Sequence, residues 1–249
     1  MPKITVITCT YNSELFIEQT LKSLYSQKFK DIEHIIIDNL SSDNTKKIIE
    51  KNYFKSRVLI SEKDEGIYDA FNKGIQKSSG DIIGFLHSSD FYQNSDYLNN
   101  IAEEFEKTNC DILYTSVSQF NTNNLKINIK RNWRAVSFKK FKLNYGWMPP
   151  HCSTFVKRKY YIDNLYSTKY QISSDYHWLL NKLLKIEIKK IQYLPKLYYM
   201  QRLDGISTDK RFFFKKFIED HRILKEHYKF PFFIAIMKRL SKIGQFIIK

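Results

Sequence analysis

The chain predicts an α/β fold built on a mainly parallel sheet, and three observations carry that prediction. The first 116 residues hold five short apolar runs rich in β-branched side chains, separated by stretches with helical spacing. Those runs are apolar throughout and do not alternate, which is the pattern of strands covered by helices on both faces. Only 7 Gly and 5 Pro occur in 249 residues, which leaves little chain for long flexible connections.

The elements follow in order. "KITVITC" (3–9) is the first strand, and 13–28, with Leu15, Ile17, Leu21 and Leu24 on one face, is the first helix. "EHIIID" (33–38), "RVLI" (57–60), "DIIGFLH" (81–87) and "CDILYTSV" (110–117) are the next strands; helices are expected at 42–52, 67–78 and 95–107. From 118 to 150 the pattern is less regular, with "NTNN" marking a turn and a basic "KRNWR" after it. Residues 173–185 read as a helix with Ser173 or Ser174 as cap and Asp175 in its first turn.

The last segment, 231–249, opens on a proline suited to start a helix. On a wheel Phe233, Ile236, Met237, Leu240, Ile243 and Ile247 share one face, and Lys238, Arg239, Lys242 and Lys249 take the other. It carries too much charge to span a bilayer. The pattern is that of a helix lying in a membrane interface, with Phe212–Phe214 and Phe217 adding to it; packing on the domain with a solvated basic face is the alternative.

Charge is uneven. Residues 1–120 hold 13 Lys+Arg against 18 Asp+Glu, whereas 121–209 are net +12 and 210–249 net +8. A basic back half implies a polyanionic neighbour, either an anionic membrane surface or nucleic acid. Nucleic acid is disfavoured, because carboxylates stand at the expected strand ends and no recognition motif is present. Three widely spaced cysteines, Cys9, Cys110 and Cys152, suit a reducing compartment and make neither a disulfide framework nor a zinc pattern. "MPKITVITCTYNSE" reads as a strand without a cleavage pattern, so the expectation is a cytoplasmic protein.

Ligands of parallel sheets bind beyond the carboxyl ends of the strands, which singles out Thr8–Asn12, Asp38–Ser42, Ser61–Asp69 and His87–Asp90. No G-x-G-x-x-G follows a strand and no P-loop exists, so a bound nucleotide has to be held by side chains and a metal. Asp38 can accept from a ribose or a base, or cap a helix starting near Ser41.

Six stretches together carry a resemblance: "ITVITCTYNSELFIEQTLKSLYSQ", "IIIDNLSSDNT", "SEKDEGIYDAFNKGIQKSSGDIIGFLHSSDFY", "MPPHCSTFVKR", "ISSDYHWLL" and "RLDGIST". In this order they resemble family 2 glycosyltransferases of the GT-A fold, in the bacterial branch that builds capsule, O-antigen and other surface polysaccharides. The resemblance covers about residues 3–208. It implies a GT-A domain at 1–209 with a Rossmann-like, mainly parallel sheet and flanking helices. Within it, 1–116 would be the nucleotide-binding half and 117–209 the acceptor-binding half, with 210–249 as a basic C-terminal helical extension. It further implies an inverting, metal-dependent transferase using a nucleotide-diphosphate sugar, usually uridine-linked, with Mn²⁺ or Mg²⁺. The acceptor would be a glycan or a polyprenyl-diphosphate-linked glycan, reached from the cytoplasmic face of the membrane through 210–249.

Residue by residue, the resemblance places Thr8, Tyr11 and Asn12 at the base and Asp38 near base and ribose. Asp64, Gly66, Asp69, Asn72 and Lys73 fall around ribose and diphosphate, although Lys73 is also placed for an ordinary ion pair with Asp69 one turn away. The metal motif departs from the family, which carries two carboxylates, as in Asn-Ser-Asp-Asp. Here His87, Ser88, Ser89 and Asp90 stand in their place. Asp90 is the expected metal ligand, Ser89 replaces the preceding carboxylate beside the nucleotide, and His87 is a ligand for Mn²⁺ or faces the sugar. Asp175 matches the general base. His151 matches a position on the acceptor side, and Arg202 reaches the diphosphate or makes a surface salt bridge. Trp133, Trp147 and Trp178 line a sugar site or pack the core. Ser89 also admits a protein that binds a nucleotide sugar without turnover.

Overall fold

Strand β1 (Ile4–Thr10) is buried along its whole length and carries parallel neighbours on both sides. The computed structural model describes residues 1–52, 54–123, 126–203 and 210–247, with the side chains of 123, 210 and 241–247 left out. On one side of β1 lie β2 (Ile32–Asp38) and then β3 (Arg57–Ser61), and on the other β4 (Ile82–Phe85), all parallel. This is the parallel arrangement expected from the unbroken apolar runs.

The sheet is buried on both faces because successive side chains point to opposite sides. Ile7 and Cys9 pack with Tyr68, Ala70, Phe71 and Ile75 of helix α3 (Ile67–Lys77). Ile4 and Val6 pack on the other face with Leu24 of α1 (Ile17–Tyr25) and with Leu98, Ile101 and Phe105 of α4 (Tyr97–Thr108). Helix α2 (Thr45–Lys51) adds Ile49 against Ile17, Leu21 and Ile36.

Beyond β4 the pairing is mixed. β8 (Thr154–Lys157) runs antiparallel to β4 and to β6 (Ile112–Asn123), while β9 (Ile191–Arg202) runs parallel to β6 and antiparallel to the two-residue β5 (Phe91–Tyr92). β6 therefore continues through residue 116, the expected boundary between halves. The stretch expected to be irregular is instead mostly hairpin: β7 (Lys126–Trp133) folds back on β6 as an edge strand. Ile127 and Ile129 alternate with Lys126, Asn128 and Lys130, a period-2 signal that makes no apolar run because both faces of this strand's outer part are exposed.

Helix α5 (Lys159–Ile162) follows β8, and α6 (Ser174–Lys185) starts at the predicted cap. The chain ends in α7 (Phe213–Lys225) and α8 (Pro231–Ile247), which pack as an antiparallel pair: Phe232 meets Phe217, and Arg239 lies over Phe213 and Phe217. Helix α8 packs on the domain through Ile234, Ala235 and Lys238, so Phe233, Ile236 and Leu240 of the expected apolar face point outward. Gly146 holds the contact: its φ of +72° favours glycine, and a Cβ there would lie 2.4 Å from Lys238 Cβ. The side chains of Lys242, Ile243, Ile247 and Lys249 lie outside the described residues. Among the described residues no helix is long and apolar enough to cross a membrane.

Candidate functional site

The carboxyl ends of β1, β2 and β3 are stitched together by short polar side chains. Asp38, fully buried, accepts hydrogen bonds from Ser41 N (3.2 Å), Ser41 Oγ (2.5 Å) and Ser61 Oγ (2.7 Å). Helix α2 starts only at Thr45, so Asp38 braces the loop and is not that helix's cap. Asn12, in the left-handed region at φ 47°, donates its backbone N–H to Ser41 Oγ and accepts Ser42 N on Oδ1, both at 2.9 Å. This locks the loop after β1 to the loop after β2 and leaves Tyr11, 60% exposed, at the mouth. Thr8 is not at that mouth: its side chain lies inside the sheet, 3.0 Å from His34 Nε2, which corrects the expected contact with a base. Burial holds His34 down to about 3, so the pair is neutral.

The segment between β3 and α3 is ordered by its own acids. Asn39 Oδ1 accepts Asp64 N, and Asp64 Oδ1 accepts Gly66 N, each at 2.9 Å. Asn39 is a contributor that sequence reasoning missed; its position directly after Asp38 was the available signal. Gly66 turns the chain at φ 121° into α3, with open space where a Cβ would stand, so conformation alone requires glycine there. Asp69 pairs with Lys73 at 3.3 Å, Lys73 also meets Glu62 at 3.1 Å, and Lys73 donates to the Lys63 carbonyl at 2.6 Å. The helical ion pair is thus made. Asn72 faces the other way from a nucleotide at the strand ends: its side chain exchanges two 2.8 Å hydrogen bonds with the backbone of Tyr166.

At the end of β4 the four residues of "HSSD" diverge. Ser88 Oγ lies 2.9 Å from Ser13 Oγ, tying this loop to the one after β1, while Ser89 is half-buried beside it. Asp90 turns inward and is 2% exposed. Tyr199 OH donates to one carboxylate oxygen (3.0 Å) and Arg202 N to the other (2.8 Å). Burial pushes its carboxyl up to about 7, against the pull of those two donors. A divalent cation needs several hard oxygen ligands with free lone pairs. In the expected metal ligand each oxygen instead accepts a hydrogen bond inside the protein, and among the described residues no group of three or more His, Cys, Asp or Glu side chains is placed to hold a metal ion. The residues present do not fit a resident Mn²⁺ or Mg²⁺.

Arg202 likewise turns inward. Its guanidinium lies over the rings of Phe16 (4.0 Å) and Phe120 (4.8 Å), and one of its N–H groups donates to Thr122 Oγ1 at 2.8 Å. It is 8% exposed and helps to hold β9 and β6 together under Asp90. The remainder of "RLDGIST", residues 204–208, lies outside the described residues.

On the acceptor side His87, His151 and Asp175, distant in sequence, converge. Phe71 stacks between the two imidazoles at 5.7 and 5.9 Å, and His151 Nε2 lies 2.6 Å from Tyr166 OH. Burial lowers His87 to about 4 and lowers His151 as well, with Asp175 opposing both shifts. Both imidazoles are therefore neutral at physiological pH, within electrostatic reach of Asp175.

Asp175 sits in the first turn of α6, where the helix dipole favours a carboxylate. Tyr176 N donates to its Oδ1 at 2.8 Å, and Tyr68 OH lies 3.0 Å from the same oxygen and 2.7 Å from the Ile172 carbonyl, so its one proton is shared between them. Among the described residues no hydrogen bond reaches Oδ2. Tyr68 is buried, and burial together with Asp175 raises its pKa far enough that it stays a proton donor. One carboxylate oxygen is thus fixed and the other left for a substrate proton.

A second acid, Glu219 of α7, holds the entry to this helix. Its Oε1 accepts Gln171 N (3.0 Å), and its Oε2 accepts Ile172 N (3.0 Å) and Ser173 N (2.9 Å). Sequence reasoning missed Glu219, because the contact spans 46 to 48 residues and leaves no local pattern. The tryptophans are packing residues. Trp178 stacks on Tyr161 at 4.2 Å, Trp147 lies edge-on to Tyr114, and Trp133 lies under Arg131. Cys9, Cys110 and Cys152 are buried free thiols.

The Glycosyl transferase family 2 model matches residues 5–165 of the chain. Among curated proteins, the GalNAc(5)-diNAcBac-PP-undecaprenol beta-1,3-glucosyltransferase of Campylobacter jejuni is 33% identical over 94 residues, covering 36% of this chain and 30% of that enzyme. The chain spans 30% to 39% of the length of its first curated relatives. Among solved structures, S. aureus TarS 1-349 in complex with UDP-GlcNAc superposes with a TM-score of 0.71 at 20% identity, over 90% of this chain and 66% of that one. The mannosyltransferase PcManGT from Pyrobaculum calidifontis, in complex with GDP-Man and Mn²⁺, gives 0.63 at 16% identity over 99% and 72%. These two likenesses fix the GT-A arrangement of a curled mixed sheet with flanking helices.

Proposed function

The chain belongs to glycosyl transferase family 2, and from that membership we propose that it moves a sugar, with inversion, from a UDP-linked donor to a hydroxyl of a glycan acceptor in bacterial surface-polysaccharide synthesis. The observation that carries the reading is Asp175, with one oxygen anchored by Tyr68 and Tyr176 and the other open beside His87 and His151. In the transfer step the open oxygen takes the proton of the acceptor hydroxyl. As the proton leaves, a lone pair of the acceptor's own hydroxyl oxygen forms the new bond to the anomeric carbon while the bond to the diphosphate breaks on the opposite face, releasing nucleoside diphosphate. The neutral imidazoles are suited to hydrogen-bond sugar hydroxyls without competing for the proton.

The donor's base and ribose would lie over Tyr11, Asn12 and the Asp38–Ser42 loop, with Asp64 beneath. A divalent ion, as seen in the mannosyltransferase complex, would help the diphosphate leave in such enzymes. The relative from Campylobacter acts on an undecaprenol-linked glycan, as its name states, which supports a lipid-linked acceptor at the inner face of the membrane. The inward turn of Asp90 also supports a second reading, a donor-binding protein without turnover. A screen of nucleotide sugars separates the two: slow hydrolysis or transfer supports the enzyme, binding alone supports the second reading, and no binding of any nucleotide sugar refutes both.

A further inference from the structure

The hairpin of α7 and α8 is apolar on both sides, with Ile223, Leu224, Ile234 and Ala235 packed inward. Against the domain it buries Glu219, Asp220 and Lys238, and outward it presents Phe213, Phe214, Ile218, Phe232, Phe233, Ile236 and Leu240. Phe217 meets Phe232 across the two helices and Phe213 meets Phe214 within α7, so rings of both helices contribute to the outward side. Phe214 is 78% exposed and Phe230 67% exposed.

The charges are sorted as strictly. Glu219 holds the entry to α6, Asp220 pairs with Lys238 (3.0 Å) and Arg239 (3.4 Å), and Glu226 accepts from Tyr170 OH and faces His177. Among the described residues of the extension no other acid occurs, so each of its acids has a partner: Glu219 and Asp220 are buried, and Glu226 is exposed but held by Tyr170 and His177. Cations stay with the rings instead: Arg239 lies over Phe213 and Phe217, and Lys229 over Phe230. Lys215, Arg222 and Lys225 are exposed around them. Exposed aromatics set among basic side chains, with every acid of the hairpin held in an ion pair or hydrogen bond, complement an anionic lipid surface: the rings enter the headgroup boundary and the long cationic stems reach phosphate.

We propose that the outward face of the α7–α8 hairpin docks on an anionic lipid bilayer. The consequence for chemistry lies in Glu219. The docking hairpin itself holds the first turn of α6, so Asp175 stands roughly one helix diameter, ~10 Å, above the lipid surface. That is the height of the first sugars of a lipid-linked acceptor. The match to an acceptor rests on the transferase reading, whereas docking does not.

The test is vesicle sedimentation of the full chain without donor or acceptor, so that its failure and failure of the transferase reading are told apart. Vesicles of equal phosphatidylglycerol and phosphatidylethanolamine are compared with phosphatidylcholine alone, at low salt and at about 0.5 M. Binding to the anionic vesicles that falls with salt is expected. The doubly substituted Phe214→Glu, Phe233→Glu protein should bind about tenfold more weakly with an unchanged melting temperature, since both rings are exposed. Three results each overturn the proposal: no binding to anionic vesicles, equal binding to both kinds, or a dimer lost in the same double variant while vesicles go unbound.

Discussion

Replacing Glu219 by Gln tests whether the helix bearing Asp175 depends on α7. The carboxylate accepts three backbone N–H groups at 2.9 to 3.0 Å, and it is nearly fully buried. An amide keeps one oxygen and turns an NH₂ toward donors, so at least one of the three N–H groups is left without an acceptor and a charge-assisted bond becomes neutral. An unsatisfied buried donor costs about 1–3 kcal/mol, and weakening a charged bond about 1 kcal/mol more. The variant should therefore lose roughly 2–4 kcal/mol, or about 4–16 °C in melting temperature at 2–4 °C per kcal/mol. Thermal unfolding measures the sum, and amide exchange at Gln171, Ile172 and Ser173 locates it. A loss below about 0.5 kcal/mol, or exchange that stays slow at those three amides, would refute the reasoning, because it would mean that α6 is capped without Glu219.

Three further outcomes follow. Asp175→Asn should bind UDP as the wild type does yet lower single-turnover transfer by about 10²–10⁴-fold, the usual worth of a positioned base; an active variant removes Asp175 from that role. Chelation with EDTA should change UDP affinity and transfer rate by less than about twofold, since Asp90 is buried at 2% exposure with a protein donor on each oxygen; a loss beyond tenfold, restored by Mn²⁺, contradicts the inward reading of the motif. Asp90 also predicts a pH dependence. Its carboxyl is raised to about 7, so the folded state holds this proton more tightly than the unfolded chain, and the stability so gained is present below the ordinary carboxylate value and lost as pH rises to about 7. Urea unfolding at pH 4 to 8 should show that fall, and Asp90→Asn should flatten it.

The parallel half of the sheet was legible because each strand there is buried on both faces and so spells an unbroken apolar run, as "EHIIID" does for β2. The hairpin of β6 and β7 was not, because the outer part of β7 is exposed and its residues answer to water and not to a core. At the site, the motif reading named Asp175 and His151 on the acceptor side and His87 in the metal motif, and the structure gathers all three around Phe71 and Tyr68. It assigned Thr8, Asn72 and Arg202 to the nucleotide, and each of these side chains makes a hydrogen bond within the protein. These side chains are claimed by partners 26, 94 and 80 residues away, and a motif read along the chain carries no information about such partners.

The two aspartates show what decides a carboxylate's work. Asp90 and Asp175 each accept two hydrogen bonds from a tyrosine hydroxyl and a backbone N–H. In Asp90 the donors reach different oxygens and the group is sealed, so proton uptake is favoured and no lone pair faces the cleft. In Asp175 both donors reach the same oxygen, which fixes the group's direction while leaving the second oxygen basic and open. The retained acid of the metal motif is thereby a brace between β9 and the end of β4. The charge available to chemistry sits instead on α6, under the control of Glu219 and of the hairpin that carries it. Donor geometry, more than the presence of the residue type, assigns the roles.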